Sequence, residues 1–247
     1  MPNIQAASST TVEEIGDFLN FDRIKADNRI FRALSPQEWT AWQPHLEPLA
    51  WQEGAVVADV SQPASQVCFP TQGVLSLQAL ATPNVNLALI GREGVIGLVP
   101  PAELVKPCKV VAETAGAGWR IERNLVHAAM AASGHVMLLL LRYQQALTVQ
   151  MTQAALCRQH HTLEQQVCRW LLLGQDWLEG PDRVAPVDVS SEFVGQRTED
   201  LVQVVHSLQA SSLIECEWPR VTVRDQAGLA RRCCECYEAI KREYQLL

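Results

Sequence analysis

Near its C-terminus the chain reads Ser191-Glu-Phe-Val-Gly-Gln-Arg-Thr-Glu-Asp-Leu-Val-Gln-Val-Val-His-Ser-Leu-Gln-Ala-Ser-Ser-Leu-Ile214. The second half of this run has an apolar stripe at helical spacing. Its members are Leu201, Val204, Val205 and Leu208. A helix-rich run, His161 to Leu173, precedes it, and two short strand patterns, 214–217 and 220–224, follow it. Helix, turn, helix and a two-stranded wing are the layout of a winged helix-turn-helix domain, which reads DNA.

Composition limits the kind of DNA contact that can be expected. The chain has 247 residues, of which 48% are hydrophobic, so it can bury two cores of ordinary size. Its net charge of −7 counts against a broadly basic surface. Residues 156–247 are themselves acidic, with ten Lys or Arg against fourteen Asp or Glu. A local basic patch on a dimer stays compatible with this balance.

The apolar runs and the N-terminus predict a cytoplasmic protein with no membrane partner. The longest apolar run, Val136 to Leu141, is far shorter than the roughly 20 residues that span a bilayer. The first residues lack a basic region followed by an apolar one, so no signal peptide is expected. In that compartment the eight cysteines are expected to be reduced thiols.

The N-terminal half divides into three patterns. Residues 1–27 are polar and predict a poorly packed arm, although Ile24 could dock a short helix. Residues 28–49 have helical spacing, with a helix start at Ser35-Pro36-Gln37-Glu38. From Ala50 to about Glu122, short apolar runs alternate with turn residues, which predicts a β-sandwich, barrel or roll.

Residues 133–159 predict one long helix with an apolar stripe. The stripe consists of Leu140, Tyr143, Leu147, Met151 and Ala154. Two interpretations are open from the residues alone. The helix packs either on its own domain or against the same helix of a second copy.

Six motifs follow one another along the chain from residue 69 to residue 237. They are Phe69-Pro-Thr-Gln-Gly-Val-Leu-Ser-Leu77, Leu89-Ile-Gly-Arg-Glu-Gly-Val-Ile-Gly-Leu98, Leu141-Arg-Tyr-Gln-Gln-Ala-Leu147, Leu163-Glu-Gln-Gln-Val-Cys-Arg-Trp-Leu-Leu172, Leu208-Gln-Ala-Ser-Ser-Leu-Ile214 and Cys234-Glu-Cys-Tyr237. Their order and spacing resemble the Crp/Fnr superfamily of bacterial transcription regulators, in the branch without an assigned ligand.

This resemblance implies an α+β fold in three parts after the arm. Residues 28–132 would form a double-stranded β-helix, a jelly-roll-like sensor domain of the cyclic-nucleotide-binding type. Residues 133–159 would be the central dimerisation helix, which favours the dimer interpretation of the apolar stripe. Residues 160–247 would be the winged helix-turn-helix domain.

The same resemblance implies a function. The chain would be a homodimeric, DNA-binding transcription regulator rather than an enzyme. Its partners would be double-stranded DNA, a second copy of itself, RNA polymerase and a small-molecule effector of unknown identity. No phosphate-binding glycine loop or catalytic motif in the sequence argues for an enzyme.

The resemblance places the DNA-reading helix at about residues 198–209. The residues expected to contact DNA are Arg197, Thr198, Glu199, Gln203, His206, Arg220 and Arg224. Glu199 can accept from a cytosine amino group, and Gln203 can bond adenine. The three arginines are expected to contact phosphates, two of them from the wing.

Two departures from the resembling proteins weaken this expectation. Thr198 and Gln203 stand where relatives usually carry arginines, and Asp200 adds a charge that phosphate repels. About four residues are also missing between Glu192-Phe193 and the reading helix, close to one helical turn. An alternative is therefore a divergent member with weakened or lost DNA binding, acting as a sensor or protein-interaction module, as a heterodimer or antagonist.

The effector pocket is expected at Gly94, Gly97 and Leu98. Leu98 stands where classical relatives carry the glutamate that binds ribose, and residues 99–110 contain no arginine to pair with a phosphate. Cyclic nucleotide is therefore not predicted as the ligand. Arg92-Glu93 is expected to be an exposed turn pair.

No cofactor or metal is predicted. An iron–sulfur cluster of the family's type needs N-terminal cysteines, and the first cysteine here is Cys68. The candidate haem ligands His45, Cys68, Cys108 and His127 have no recognisable spacing. Cys233, Cys234 and Cys236 lack a paired Cys-x-x-Cys, and His160 and His161 are distant in sequence, so these thiols are expected to be packed side chains.

Overall fold

The computed structural model describes residues 21–59, 65–80, 85–98, 108–178, 198–217 and 220–247. Three predictions fall outside these ranges: the first twenty residues of the arm, the segment after Leu98, and the shortened first helix of the helix-turn-helix with Arg197.

Short helices open the described chain. They are α1 (Phe21–Asp27), α2 (Arg29–Ala33) and α3 (Pro36–Trp42), followed by a 3₁₀ turn, Gln43–His45. Ile24 lies in the core, so the end of the predicted arm is docked. Ser35 and Glu38 form the expected capping box. The helix predicted as far as Leu49 ends earlier, because Pro44 cannot donate the next helical hydrogen bond, and Glu47 already begins a strand.

Two antiparallel sheets follow and form the predicted roll. The strands are β1 (Glu47–Trp51), β2 (Val56–Asp59), β3 (Gln66–Gln72), β4 (Leu75–Ala79), β5 (Val85–Ile90), β6 (Cys108–Ala112) and β7 (Gly116–Glu122). One sheet has the order β1-β7-β3 and the other β2-β6-β4-β5. Trp51 of the first sheet packs against Leu75, Ile90 and Val110 of the second, so the core lies between the sheets.

Two helices leave the roll, α4 (Arg123–Ala132) and the 27-residue α5 (Gly134–His160). Ser133 caps α5 and also donates a hydrogen bond of 2.7 Å to Glu38. His135 Nδ1 lies 2.9 Å from the same carboxylate. Burial alone would raise the pKa of Glu38, but the bonds from Ser133, Ser35 and His135 lower it to about 2. Glu38 therefore stays charged and joins α3 to the start of α5.

The apolar stripe predicted as the dimer face lies against the chain's own domains. Leu140, Tyr143 and Ala154 are buried within the single chain, and Leu147 and Met151 are half-buried. The roll and the C-terminal helix pack against this side of α5 within the single chain. The buried part of the stripe packs within the chain, as in the first interpretation, and a role of these five residues in a dimer stays a prediction.

The C-terminal part contains α6 (Leu163–Asp176), α7 (Thr198–Ala210), β8 (Ile214–Glu217), β9 (Arg220–Val223), α8 (Gln226–Arg232) and α9 (Cys236–Gln245). Residues 166–175 of α6 are buried throughout, which makes α6 the centre of this part. α9 turns back onto α5. Among the described residues no single helix is long and apolar enough to cross a membrane; α4 and α5 meet the length and composition test only together, and they are bent by 116°.

Candidate nucleic-acid interface

Helix α7 presents one buried and one exposed face. Leu201, Val205 and Leu208 are buried, and Val204 is half-buried, as the apolar spacing predicts. On the other face lie Thr198, Glu199, Gln203 and His206, all exposed. The helix thus places four of the seven predicted DNA contacts on solvent-facing positions. Arg197 lies outside the described residues.

The turn after α7 is tight and connects the helix to the wing. Ser212 has a φ of 56°, in the left-handed region that few residues other than glycine adopt. This conformation lets Leu213 N reach Leu208 O at 3.1 Å, which closes the helix end. Gln209 Oε1 then accepts from Cys216 N of β8 at 3.0 Å. Helix α7 and the wing are therefore held together.

The wing is an antiparallel pair in which Ile214 faces Val223 and Glu217 faces Arg220. Arg220 lies in β9, and its side chain is outside the described part. Arg224 follows the strand, and its guanidinium donates to Glu215 of β8, at 2.9 Å from Nε. A second donor of the same guanidinium contacts the same oxygen. Arg224, which was predicted to contact a phosphate, thus forms an ion pair across the wing.

The electrostatic setting of α7 is mixed. Glu199 and Asp200 occupy its first turn, where carboxylates stabilise the positive end of the helix dipole. The same charges repel an approaching phosphate. Between α7 and β8 lies a cleft of about 300 Å³, lined by Thr198, Val202, Val205, His206, Gln209 and Cys216. Val202 and Val205 line this cleft beside the polar side chains of Thr198, His206 and Gln209.

The predicted effector residues are closely packed. A Cβ on Gly94 would lie 2.8 Å from the hydroxyl of Tyr143, and one on Gly97 would lie 2.7 Å from Gln66 O. Leu98 is buried. The loop therefore rests on helix α5 at Gly94, where a side chain would collide with Tyr143. Gly97 instead approaches the backbone of β3 and has a φ of 83°, a conformation that favours glycine.

Glu93 was predicted to lie exposed in a turn with Arg92, and this prediction is wrong. Its side chain is fully buried, and Oε1 accepts from Gly91 N at 2.8 Å. Oε2 has no hydrogen-bond partner among the described residues. Burial raises the pKa of Glu93 to about 7, against the lowering effect of the Gly91 bond. A buried acid at the point where the roll meets Tyr143 was not visible in the sequence, because Arg-Glu-Gly resembles an ordinary turn.

The cysteines that were predicted to be packed thiols have an unexpected neighbour. Cys157, Cys234 and Cys236 form a buried cluster with His161. The sequence signal that could have found it is the four-residue spacing of Cys157 and His161, which places both on one face at the end of a helix.

The sequence matches no protein-family model and no curated protein sequence. Solved structures match its fold. FixK2 from Bradyrhizobium japonicum has a TM-score of 0.63 at 13% identity and covers 76% of this chain and 98% of its own. A transcriptional regulator of the Crp/Fnr family from Eubacterium rectale has a TM-score of 0.59 at 12% identity, covering 85% and 97%. A CRP-family regulator from Thermus thermophilus has a TM-score of 0.57 at 17% identity, covering 74% and 95%.

These matches cover about three quarters or more of this chain and nearly the whole length of each solved chain. At such low identity they establish architecture rather than ligand or target. The chain has the fold of the Crp/Fnr family of transcription regulators.

Proposed function

We propose that the protein is a dimeric, DNA-binding transcription regulator that inserts helix α7 into the major groove. One observation carries the proposal. Thr198, Glu199, Gln203 and His206 are exposed on one helix that is braced by a wing through the Gln209–Cys216 bond. An exposed polar helix face beside a two-stranded wing is the geometry with which winged domains read base edges.

The chemistry of this face favours a particular type of contact. Glu199 can accept from a cytosine amino group, and Gln203 can form two hydrogen bonds with adenine. His206 and Thr198 can bond bases or phosphates. With Arg224 held by Glu215, the phosphate attraction is weak for a DNA-binding protein, so we expect modest affinity that depends on the correct bases.

A second copy is expected to pack on the exposed side of α5, opposite the buried stripe. The solvent-facing positions on that side of α5 recur at alternating spacings of three and four residues, which is the repeat of a coiled-coil seam. They are Leu138, Leu141, Gln145, Thr148, Thr152, Ala155 and Gln159. Leu138 and Leu141 are 48% and 54% exposed, and as neighbours on this face they offer apolar surface to a partner.

Coupling between roll and DNA would pass through α5. The loop containing Gly94 touches Tyr143 of that helix, so a signal that shifts the loop would shift the packing of α5. A change at the seam would then alter the separation of two α7 helices, which must match half-sites about one DNA turn apart. A small-molecule effector, RNA polymerase and a cytoplasmic setting belong to this proposal.

Sequence selection with the purified protein, followed by a gel shift at low salt, tests the proposal. We expect a two-fold symmetric site to be enriched. Replacing Gln203 by alanine should weaken binding by roughly 10–100-fold, about 1–3 kcal/mol for a lost bidentate base contact. The exposed Gln245 of α9 provides the matched control, since Gln245→Ala removes the same group outside α7. Absence of binding to any duplex at low salt would refute the proposal.

A second candidate function follows from the acidic first turn of α7 and the engaged Arg224. It is a protein of this fold that has lost autonomous DNA binding and acts on a related regulator by forming heterodimers. Co-expression with a regulator of the same fold, followed by copurification, tests it. Mixed dimers combined with no DNA affinity of the homodimer would favour this candidate over the first.

A further inference from the structure

The end of helix α5 meets the turn between α8 and α9 at a cluster of three thiols and one imidazole. Cys157 lies in the last turn of α5, and His161 ends that helix. Cys234 lies in the turn, and Cys236 begins α9. The three thiols are buried, and the His161 side chain is 17% exposed. Four potential ligands thus converge from two segments that are more than seventy residues apart.

Two distances within the cluster match the dimensions of a tetrahedral metal site. Cys157 Sγ lies 3.6 Å from Cys234 Sγ, and Cys236 Sγ lies 3.6 Å from His161 Nδ1. All four ligand atoms lie within 4.8 Å of one another. Ligands of a tetrahedral zinc ion are about 3.6–3.8 Å apart, because Zn–S and Zn–N bonds are about 2.3 and 2.0–2.1 Å long. Ligands of an iron–sulfur cluster bind different irons and lie further apart.

The imidazole is oriented as metal-binding histidines usually are. Its Nδ1 faces Cys236, while Nε2 lies 3.2 Å from Glu235 Oε1. A carboxylate that accepts from the second ring nitrogen fixes the ring and makes the free nitrogen a better ligand. Glu235 comes from the same Cys234-Glu-Cys236 turn, so three consecutive residues provide two thiols and this orienting carboxylate.

Charge balance also suits a cation. A divalent ion with three thiolates and a neutral imidazole carries one net negative charge. Arg169 is 3% exposed, and its Nε has no hydrogen-bond partner among the described residues. Its guanidinium lies beside the Cys157 thiol. The guanidinium would offset the excess charge of the loaded site, which is otherwise costly to bury.

We infer that Cys157, His161, Cys234 and Cys236 form a mononuclear structural zinc site. Three thiolates and one imidazole are a closed ligand set typical of structural zinc, with no position left for a substrate. The ion would attach the end of α5 to the α8–α9 turn and so fix the orientation of the C-terminal part. This inference does not rest on the proposed DNA binding, because its tests use the protein alone.

Metal content of the full chain, purified without chelator and after removal of any affinity tag, is the first measurement. We expect about one zinc ion per chain, as a single closed site requires. Cys236→Ser and His161→Ala should lose most of it. Cys233→Ser is the matched control, since the Cys233 thiol points to Gln165 O at 3.9 Å and lies outside the four ligands. Equal loss in Cys233→Ser, or a metal-free wild type with free thiols or a Cys157–Cys234 disulfide, would overturn the inference.

A second measurement remains decisive if a cysteine variant fails to fold. Cobalt added to the apoprotein should give the intense visible absorption of tetrahedral cobalt–thiolate coordination. His161→Cys should keep this absorption, because a fourth thiolate replaces the imidazole, while His161→Ala should weaken it. A chelator should lower the unfolding temperature of the wild type by several degrees and leave His161→Ala nearly unchanged. Identical cobalt spectra for His161→Ala and the wild type would contradict the assignment.

Discussion

Tyr244 donates a hydrogen bond of 2.8 Å to Gln150 Oε1, and both side chains are buried. The bond joins the last helix, α9, to the middle of α5. Within the described part of the chain, the Tyr244 hydroxyl and the Gln150 amide oxygen make this hydrogen bond with each other and no further one. The C-terminal part is therefore fixed at two levels of α5, here and at the Cys157 cluster.

Removing the Tyr244 hydroxyl should destabilise the protein measurably. Tyr244→Phe leaves a buried amide oxygen unsatisfied, which costs about 1–3 kcal/mol. Urea unfolding followed by circular dichroism gives the difference. Replacing Gln150 by leucine in the same chain should recover part of the loss, since both polar partners are then gone. If the double variant loses as much stability as the two single variants together, or more, the bond is not the cause.

Charge on the buried Glu93 should make stability depend on pH. Its pKa is raised to about 7 in the folded protein from 4.5, so the folded state binds more protons between these values. The favourable contribution of the protonated side chain is complete below pH 4.5 and is lost as the pH rises through 7. Glu93→Gln keeps a neutral side chain, so it should gain up to about 3 kcal/mol over the wild type between pH 5 and pH 8.

Urea unfolding of both proteins at several pH values between 5 and 8 measures this gain. The exposed Glu53, replaced by glutamine, is the control for removing a negative charge at the surface. A stability difference between Glu93→Gln and the wild type that does not change with pH would contradict the prediction.

The seam on α5 should be sensitive to a charge at its apolar end. Leu141→Asp would place two carboxylates face to face in the dimer, so dissociation should increase by at least about tenfold, or 1.4 kcal/mol. Sedimentation velocity over a concentration series measures it. Leu125 of α4 is also exposed, at 36%, and Leu125→Asp should leave the oligomeric state unchanged. A monomeric wild type would exclude this seam.

Releasing Arg224 should increase affinity for DNA of any sequence. In Glu215→Gln the guanidinium loses its ionic partner on the wing and becomes available to a phosphate. One added phosphate contact should raise affinity several-fold at low salt and steepen the salt dependence by about one unit. Binding isotherms between low and moderate salt measure both quantities. The double variant that combines Glu215→Gln with Arg224→Ala should not show this gain in affinity. A gain that persists without Arg224 would have another origin.

Much of the architecture was predictable because local signals agreed with one another. The capping box at Ser35 and Glu38, the alternating strands and the wing each depend on nearby residues. The helix end near Pro44 was missed because Trp39, Trp42 and Leu46 continue the apolar spacing beyond the point where proline stops the hydrogen bonds.

The partner of each surface was harder to predict. An apolar stripe shows that one side of α5 is covered, but it does not show whether α9 or a second copy covers it. The seam that we propose on the exposed side of α5 is not evident in the sequence, because glutamine and threonine occupy its middle positions. The Cys157 cluster was missed because Cys234 and Cys236 reach it only through the fold, whereas His161 had been set aside for its distance in sequence.

The seam on α5 is unequal along its length. Leucines stand at its first two positions, whereas Gln145, Thr148 and Thr152 occupy the next three. In a dimer built on this face, apolar contacts would hold the two α5 helices together at their N-terminal ends, near the rolls. Weaker polar pairs would hold them further along, towards α7. The distance between the C-terminal ends of the two α5 helices would then change at little energetic cost, while their N-terminal ends stay together.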